Sequence, residues 1–395
     1  MSGHTHPHRW GAVFAMSLAA FALVASEFMP VSLLTPLAAD LHISEGQAGQ
    51  GISVSGLFAL LTSLLIAAVA ARVDRKRLLL ALTLLMILSG TVVALAPNYL
   101  TFMLGRALIG VAIGGFWSLS AATAMRLVPS AHVPRALAIV NGGNALATVV
   151  AAPLGSFLGG LIGWRGAFFC VVPVAIIASL WLLASLPSIK TGSTTKTDNV
   201  FRLIKRATVA LGMAAACVFF MGQFMLFTYL RPFLENVTHV SVTTLSLMLL
   251  VLGLAGLAGT FLIERFLRNS LYVPLMVIPL LMALIALGLL AWGSSPMATT
   301  VLLGLWGLVA TAAPVGWWTW LSRVLPDDAE AGGGLMVAII QLAIASGATL
   351  GGAVFDLSGY RATFELSAAL LGVASLLAYL TSRRATAAYV TRRAT

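Results

Sequence analysis

Two ionisable side chains, Glu27 and Arg106, stand well inside long runs of apolar residues, where charge is expensive. A charge at the centre of a membrane-spanning helix costs about 2.5–3.5 kcal/mol on insertion scales, so it needs a partner, a polar cavity or a function. A carboxyl in that setting can take up and release a proton, with an affinity set by burial and by neighbouring charge. Glu27 therefore reads as a proton-binding group, as half of a structural ion pair, or as a carboxyl that reaches the outer interface. Arg106 reads as the organiser of a proton site or gate, or as a packing residue that pairs with main-chain carbonyls. Arg106, Gly110, Ile113 and Trp117 share one helical face, which turns the arginine toward protein or a cavity. The spacing does not say whether Glu27 and Arg106 touch.

Polar amides and aromatics form a second group. Asn141, Asn144, Thr148, Ala152, Gly155 and Gly159 fall in one narrow helical stripe beside Pro153, and Gln341, Ala345, Ala348 and Gly352 repeat the theme later in the chain. The small residues read as close helix packing. Pro153 removes one internal hydrogen bond and permits a bend. Aromatics cluster as Phe116 and Trp117; as Phe224, Phe227 and Tyr229, joined by Gln223; and as Trp317, Trp318 and Trp320. Amides beside aromatic faces suit a planar heterocycle, although core or lipid-facing packing is the commoner role of any one ring and the case rests on their clustering. Nothing reads as an enzyme, a cofactor site or a metal centre. There are no paired carboxylates in the apolar runs, no HExxH, no phosphate loop and no histidine inside a run. His4, His6 and His8 read as an unstructured terminus, and Cys170 and Cys217 as small hydrophobes inside spans.

These groups need elements to hold them. The 395 residues are 60% hydrophobic and only 9% charged, with a mean hydropathy of +1.01. A soluble domain carries roughly 25% charged residues, and no soluble core of this size hides so much apolar surface. The pattern predicts an all-α membrane protein with twelve spans at about 10–37, 47–70, 78–96, 100–124, 136–161, 166–186, 208–230, 244–263, 271–291, 298–321, 332–354 and 363–381. With the N-terminus in the cytoplasm, nineteen Lys and Arg fall in inner segments and three, Arg165, Arg231 and Arg361, in outer ones. That asymmetry puts both termini in the cytoplasm. It also explains the net charge of +11 as topology, with no nucleic-acid partner. The polar stretch 188–207 reads as a linker between bundles 1–187 and 208–395, the second ending in a basic tail. Arg126-Leu-Val-Pro129 and Gly163-Trp164-Arg165 recur in order as Arg323-Val-Leu-Pro326 and Gly359-Tyr360-Arg361, which points to a duplicated six-span unit.

Over almost its whole length the chain resembles the drug/proton antiporter branch of the major facilitator superfamily. Glu27-Phe-Met-Pro30 matches the acidic first-span motif, and Gly105-Arg106-Ala-Leu-Ile-Gly110 the span-four arginine motif. Arg72-Val-Asp-Arg75-Lys76-Arg77 matches the basic loop between spans two and three, and Ala152-Pro153-Leu-Gly155 with Gly159 the exporter motif of span five. The loop departs from the pattern, with Ala71 for the usual aspartate and Asp74 for the usual glycine, which puts its standard gating contact in doubt. Ala152 replaces a glycine conservatively. Stretches 27–50, 114–129, 222–232 and 314–323 resemble the purine ribonucleoside exporters of that branch. The resemblance implies a monomer in a bacterial inner membrane that exchanges nucleosides such as inosine and guanosine for protons by alternating access. It also leaves open an exporter of sugars, of the arabinose type, or of hydrophobic drugs, and more remotely a channel or sensor that does not pump. On this reading Glu27 and Arg106 couple the proton, Arg72, Arg75, Lys76, Pro153, Gly155 and Gly159 serve gating and packing, and the amides and aromatics form the substrate wall.

Overall fold

The computed structural model describes residues 9–70, 72–129, 132–189, 200–325 and 329–394, and among these there is no strand. Residues 1–8 with His4, His6 and His8, Ala71, Pro326 and the 190–199 half of the expected linker lie outside them. The helices are α1 Trp10–Leu41, α2 Glu45–Ala70, α3 Arg75–Ala94, α4 Tyr99–Leu127, α5 Val133–Phe169, α6 Val171–Ser185 and the short α7 Val200–Ile204. They continue as α8 Ala207–Thr228, α9 Leu230–Asn236, α10 Val242–Asn269, α11 Tyr272–Trp292, α12 Pro296–Ala310, α13 Ala312–Val324 and α14 Ala329–Ala394. Cys170 marks the division between α5 and α6 but keeps helical backbone angles and donates its N–H to Gly166 O at 3.0 Å, so it lies inside the crossing that follows Gly163.

Among the described residues, ten stretches are long and apolar enough to cross a bilayer. Two of them, Arg135–Ser185 with 51 residues and Gly332–Ala385 with 54, are far longer than one crossing requires. At 1.5 Å per residue each runs about 75 Å or more against a hydrocarbon core of about 30 Å, so each supplies two crossings, which agrees with twelve. The break inside each is a single glycine: Gly163 at φ 76°, ψ 164° and Gly359 at φ 78°, ψ −177°. That region of backbone space is open essentially to glycine alone.

The chain divides into two compact units: Met1–Leu41 with Val54–Thr195, and His42–Ser53 with Lys196–Thr395. Within the first, α1 packs on α5 and α6, and α3 on α4 and α6. Within the second, α8 packs on α14, and α11 on α12 and α14. The partnerships repeat in detail. Trp164 meets Phe168 edge-on at 6.2 Å, and Tyr360 meets Phe364 edge-on at 6.3 Å. The arginine after each aromatic lies over its ring, Arg165 at 4.3 Å and Arg361 at 5.9 Å. The second unit also takes in the first turns of α2. There Asp356 accepts hydrogen bonds from the Gly46 N–H at 3.0 Å and the Ser44 hydroxyl at 2.5 Å, and Thr349 donates to Ser53 Oγ at 2.8 Å.

The two glycine breaks give a direct prediction. Gly163→Ala and Gly359→Ala should each lower stability by about 1–3 kcal/mol, because a Cβ is strained there whatever the free space. Gly142→Ala, in open space at an ordinary helical position, should be neutral or stabilising by up to about 1 kcal/mol. Thermal unfolding of the purified protein in one detergent measures all three, and equal melting temperatures would refute the assignment.

Candidate functional site

The site around Arg106 begins with a proline. Pro30 sits inside α1 and has no N–H, so the carbonyl of Ser26, four residues earlier, loses its helical partner. Arg106 of α4 supplies the replacement. Its Nη1 donates to Ser26 O at 2.8 Å, while Nη2 donates to Glu27 O at 3.1 Å and to Ser55 Oγ on α2 at 3.0 Å. The guanidinium is fully buried, and Glu27 is 6% exposed. The two charges attract each other across this buried setting. Sequence reasoning thus found both charges but missed Ser26 and Ser55. The signal for Ser26 was present, since a proline always frees the carbonyl four residues before it.

Glycines let the surrounding helices close in. A Cβ at Gly110 would run into the Ser55 carbonyl, and one at Gly114 into that of Ala59, so α4 meets α2 backbone to backbone. On α5, a Cβ at Gly155 would press on Ser32 and Met29, and one at Gly159 on Leu33, all on α1 within two turns of Glu27. Pro153 is buried among them. The stripe thus packs against α1 at its glycine end. At its other end Asn141 is exposed, with Nδ2 donating to Leu137 O at 2.9 Å, and Asn144 is half-buried. Both lie across the helix from the exposed apolar side chains of Leu146 and Phe157.

The aromatic candidates separate into two kinds. Phe116 and Trp317 are enclosed, Phe116 edge-on to Trp117 at 5.8 Å and Trp317 edge-on to Trp320 at 5.8 Å. Tyr229 is fully buried, stacked on Phe355 at 5.1 Å, and donates its hydroxyl to Ala348 O at 2.7 Å. In this conformation these three are packing groups and offer no free surface. Phe224 is buried edge-on to Phe227 at 6.1 Å, and Trp117 and Phe227 keep partial exposure. Two amides in the second unit stand out. The Oε1 atoms of Gln223 and Gln341 are buried and accept no hydrogen bond among the described residues. A buried acceptor left unpaired costs about 1–3 kcal/mol, so each is primed for a donor. The helices that carry them are in close contact, with Gly347 against Met221 and Gly351 against Met225.

The basic loop explains its own departure from pattern. Asp74 caps α3, accepting from the backbone N–H of Lys76 at 2.9 Å and of Arg77 at 3.4 Å, and it accepts from Ser188 Oγ at 2.7 Å. Lys76 Nζ donates to Leu183 O at 2.8 Å, and the Arg75 N–H to Ile189 O at 3.3 Å. The loop is thereby fastened to the end of α6, while Arg72 is exposed. Burial alone would push the Asp74 carboxyl up. The bonds from Ser188, Arg77, Lys76 and Ile189 outweigh that and hold it below its ordinary value of 3.8.

The profile of the Major Facilitator Superfamily matches residues 16–345. A Pseudomonas aeruginosa protein named transcription regulatory protein OpdE is 62% identical over 378 residues, 95% of this chain and 94% of that protein. The purine ribonucleoside efflux pump NepI of Salmonella paratyphi B is 42% identical over 368 residues, 93% of each chain. Among solved structures, an inward-facing, unoccupied bacterial homologue of the human lysosomal transporter Spinster matches with a TM-score of 0.77 at 18% identity, over 96% of this chain and 98% of that one. The nucleoside transporter NupG matches with a TM-score of 0.77 at 12% identity, over 94% and 98%. At these identities the structural matches speak for the fold alone.

Two predictions follow from the geometry. Arg106→Met orphans the Ser26 carbonyl and should cost about 2–4 kcal/mol. Adding Pro30→Ala restores an N–H to that carbonyl, so the double variant should recover about 1 kcal/mol more than the two single effects summed. Strict additivity in thermal unfolding would show that Pro30 and Arg106 do not share the carbonyl. For the loop, Asp74→Ala should cost about 0.5–2 kcal/mol through the lost cap, and Asp74→Asn much less. Because the folded pKa of Asp74 is depressed, its charge stabilises the fold fully above pH 3.8 and loses that effect as pH falls from there through the lower folded value. A wild-type and Asp74→Asn pair should therefore converge in stability only in acid, as followed by melting temperature against pH.

Proposed function

The chain belongs to the Major Facilitator Superfamily, and from that premise we propose that it exports purine ribonucleosides such as inosine and guanosine across the bacterial inner membrane in exchange for protons. The observation that carries the substrate class is the 42% identity, along 93% of both chains, to a protein named a purine ribonucleoside efflux pump. The two unpaired carboxamide oxygens of Gln223 and Gln341 support it, because a purine edge and a ribose carry N–H and O–H donors. Asn141, Asn144, Trp117 and Phe227 are the further wall candidates with exposed surface. Glu27 takes the proton, and Arg106 holds the carboxylate's surroundings in place. The six-span halves 1–187 and 208–395 act as the moving bodies of alternating access, with both termini on the cytoplasmic side. The energetics suffice. One proton moving through 100 mV releases about 2.3 kcal/mol, which at about 1.4 kcal/mol per tenfold sustains a neutral solute gradient of roughly 40-fold.

A second reading has its own observation, the 62% identity to a protein named a transcription regulatory protein. A transporter alters expression when it removes an inducer, so export and a regulatory phenotype are compatible. A chain that signals without pumping is the true alternative.

Inosine added to everted, energised vesicles should release protons in wild type. In Glu27→Gln this release should vanish while inosine binding survives. Unchanged proton-driven efflux in Glu27→Gln would remove Glu27 from the mechanism. A response to a sugar or a dye but none to inosine would reassign the substrate. No response to any solute, with altered gene expression on deletion, would favour the signalling reading.

A further inference from the structure

The second unit contains a groove that no transport step uses. It has a volume of about 330 Å³ and runs between α10, α11 and α12, with Gly259, Ile263 and Phe266 on one wall and Val277, Leu281 and Leu308 among the rest of the lining. Every lining side chain is apolar, so the groove has nothing with which to read the hydrogen-bonding edges of a nucleoside. It opens sideways. Leu262, Phe266, Val273, Val277 and Leu281 are all 41–54% exposed. Water gains no partner in such a space, and an empty groove forfeits dispersion contacts along its whole lining. Hydrocarbon is the occupant that satisfies both conditions. From Val273 to Leu281 the α11 wall is about 12 Å long at 1.5 Å per residue, a length that takes part of one extended acyl chain.

The end of the groove nearest the α10–α11 connection carries the selectivity. Arg265 lies one turn beyond Leu262 on the exposed side of α10. Among the described residues it makes no ion pair, whereas Arg268 is held by Glu264 at 2.6 Å and Arg323 donates to Leu267 O at 3.4 Å. The adjoining N-terminus of α11 is met by one side chain, Ser270 Oγ accepting from the Val273 N–H at 3.4 Å, and presents its positive dipole end at the same level. The Lys and Arg asymmetry puts this end in the cytoplasmic leaflet, whose anionic headgroups attract basic side chains. We propose that the groove is a binding site for one anionic phospholipid of the inner leaflet, with an acyl chain between α10 and α11 and the phosphate held by Arg265 and the start of α11. A long arginine at a helix end reaches the headgroup level without burying its charge.

Native mass spectrometry of the purified full chain tests this, using phosphatidylglycerol and phosphatidylethanolamine with identical acyl chains. Wild type should retain phosphatidylglycerol in preference. Arg265→Gln should reduce that retention about fivefold, the size of one basic side chain at an anionic surface, and leave phosphatidylethanolamine unchanged. Arg268→Gln, which removes a cation already held by Glu264, should have a smaller effect. Val277→Trp, which fills the exposed groove, should reduce retention of both lipids, and Leu281→Trp serves the same purpose if the first variant does not fold. Equal losses in Arg265→Gln and Arg268→Gln would reduce the site to unspecific charge. Unchanged phosphatidylglycerol retention in Arg265→Gln, or unchanged retention in a folded groove-filling variant, would overturn it.

Discussion

A guanidinium with no access to water must be solvated by the protein that encloses it, and the first unit is arranged around that requirement. Arg106 cannot shed its charge as a carboxyl or imidazole can. Its N–H donors therefore need acceptors, which come from two other helices: main-chain carbonyls of α1 and the Ser55 hydroxyl of α2. For α2 to deliver that hydroxyl, α4 must approach it closely, and Gly110 and Gly114 permit the approach. For α1 to deliver its carbonyl, a backbone acceptor must be open in mid-helix, and Pro30 opens it. Glu27 then sits beside a cation that main-chain carbonyls of α1 and a hydroxyl of α2 help to hold.

The second unit copies the framework of the first without copying this chemistry. Its glycine break, its aromatic–arginine pair and its helix partnerships recur. Yet the residue three before Pro232 is Tyr229, where the residue three before Pro30 is Glu27. Tyr229 spends its hydroxyl on Ala348 and its ring on Phe355. Duplication thus preserves the parts that shape the helices. The charged pair belongs to one half and the unpaired glutamine oxygens to the other.

Much of this was legible before any coordinates. The cost of charge in lipid singled out Glu27 and Arg106, and periodicity separated the amide stripe of α5 from its apolar face. Gly163 and Gly359 were visible as matched motifs, although their positive φ was not, because sequence shows that a glycine is present and not what its backbone does. The spans merged across those glycines into two very long stretches, so a count of helices alone would fall short of the count of crossings. The enclosed state of Tyr229, Trp317 and Phe116 was not legible, since an aromatic in a span packs against protein or faces a cavity with the same pattern. Asp74 looked like damage to a motif. Its role as a cap that also accepts from Ser188 depends on a contact 114 positions away, which no local pattern encodes.

The connections on the side poor in lysine and arginine are all brief: His42–Ser44, Leu95–Asn98, Val237–Ser241 and Gly293–Ser295 between helices, with single glycines at 163 and 359. Connections this short show helix ends and almost no loop. An antibody, a phage or a docking protein arriving from that side has little chain to grip, and epitope tags or labels inserted there would have to displace helix. The connections rich in lysine and arginine are where handles belong.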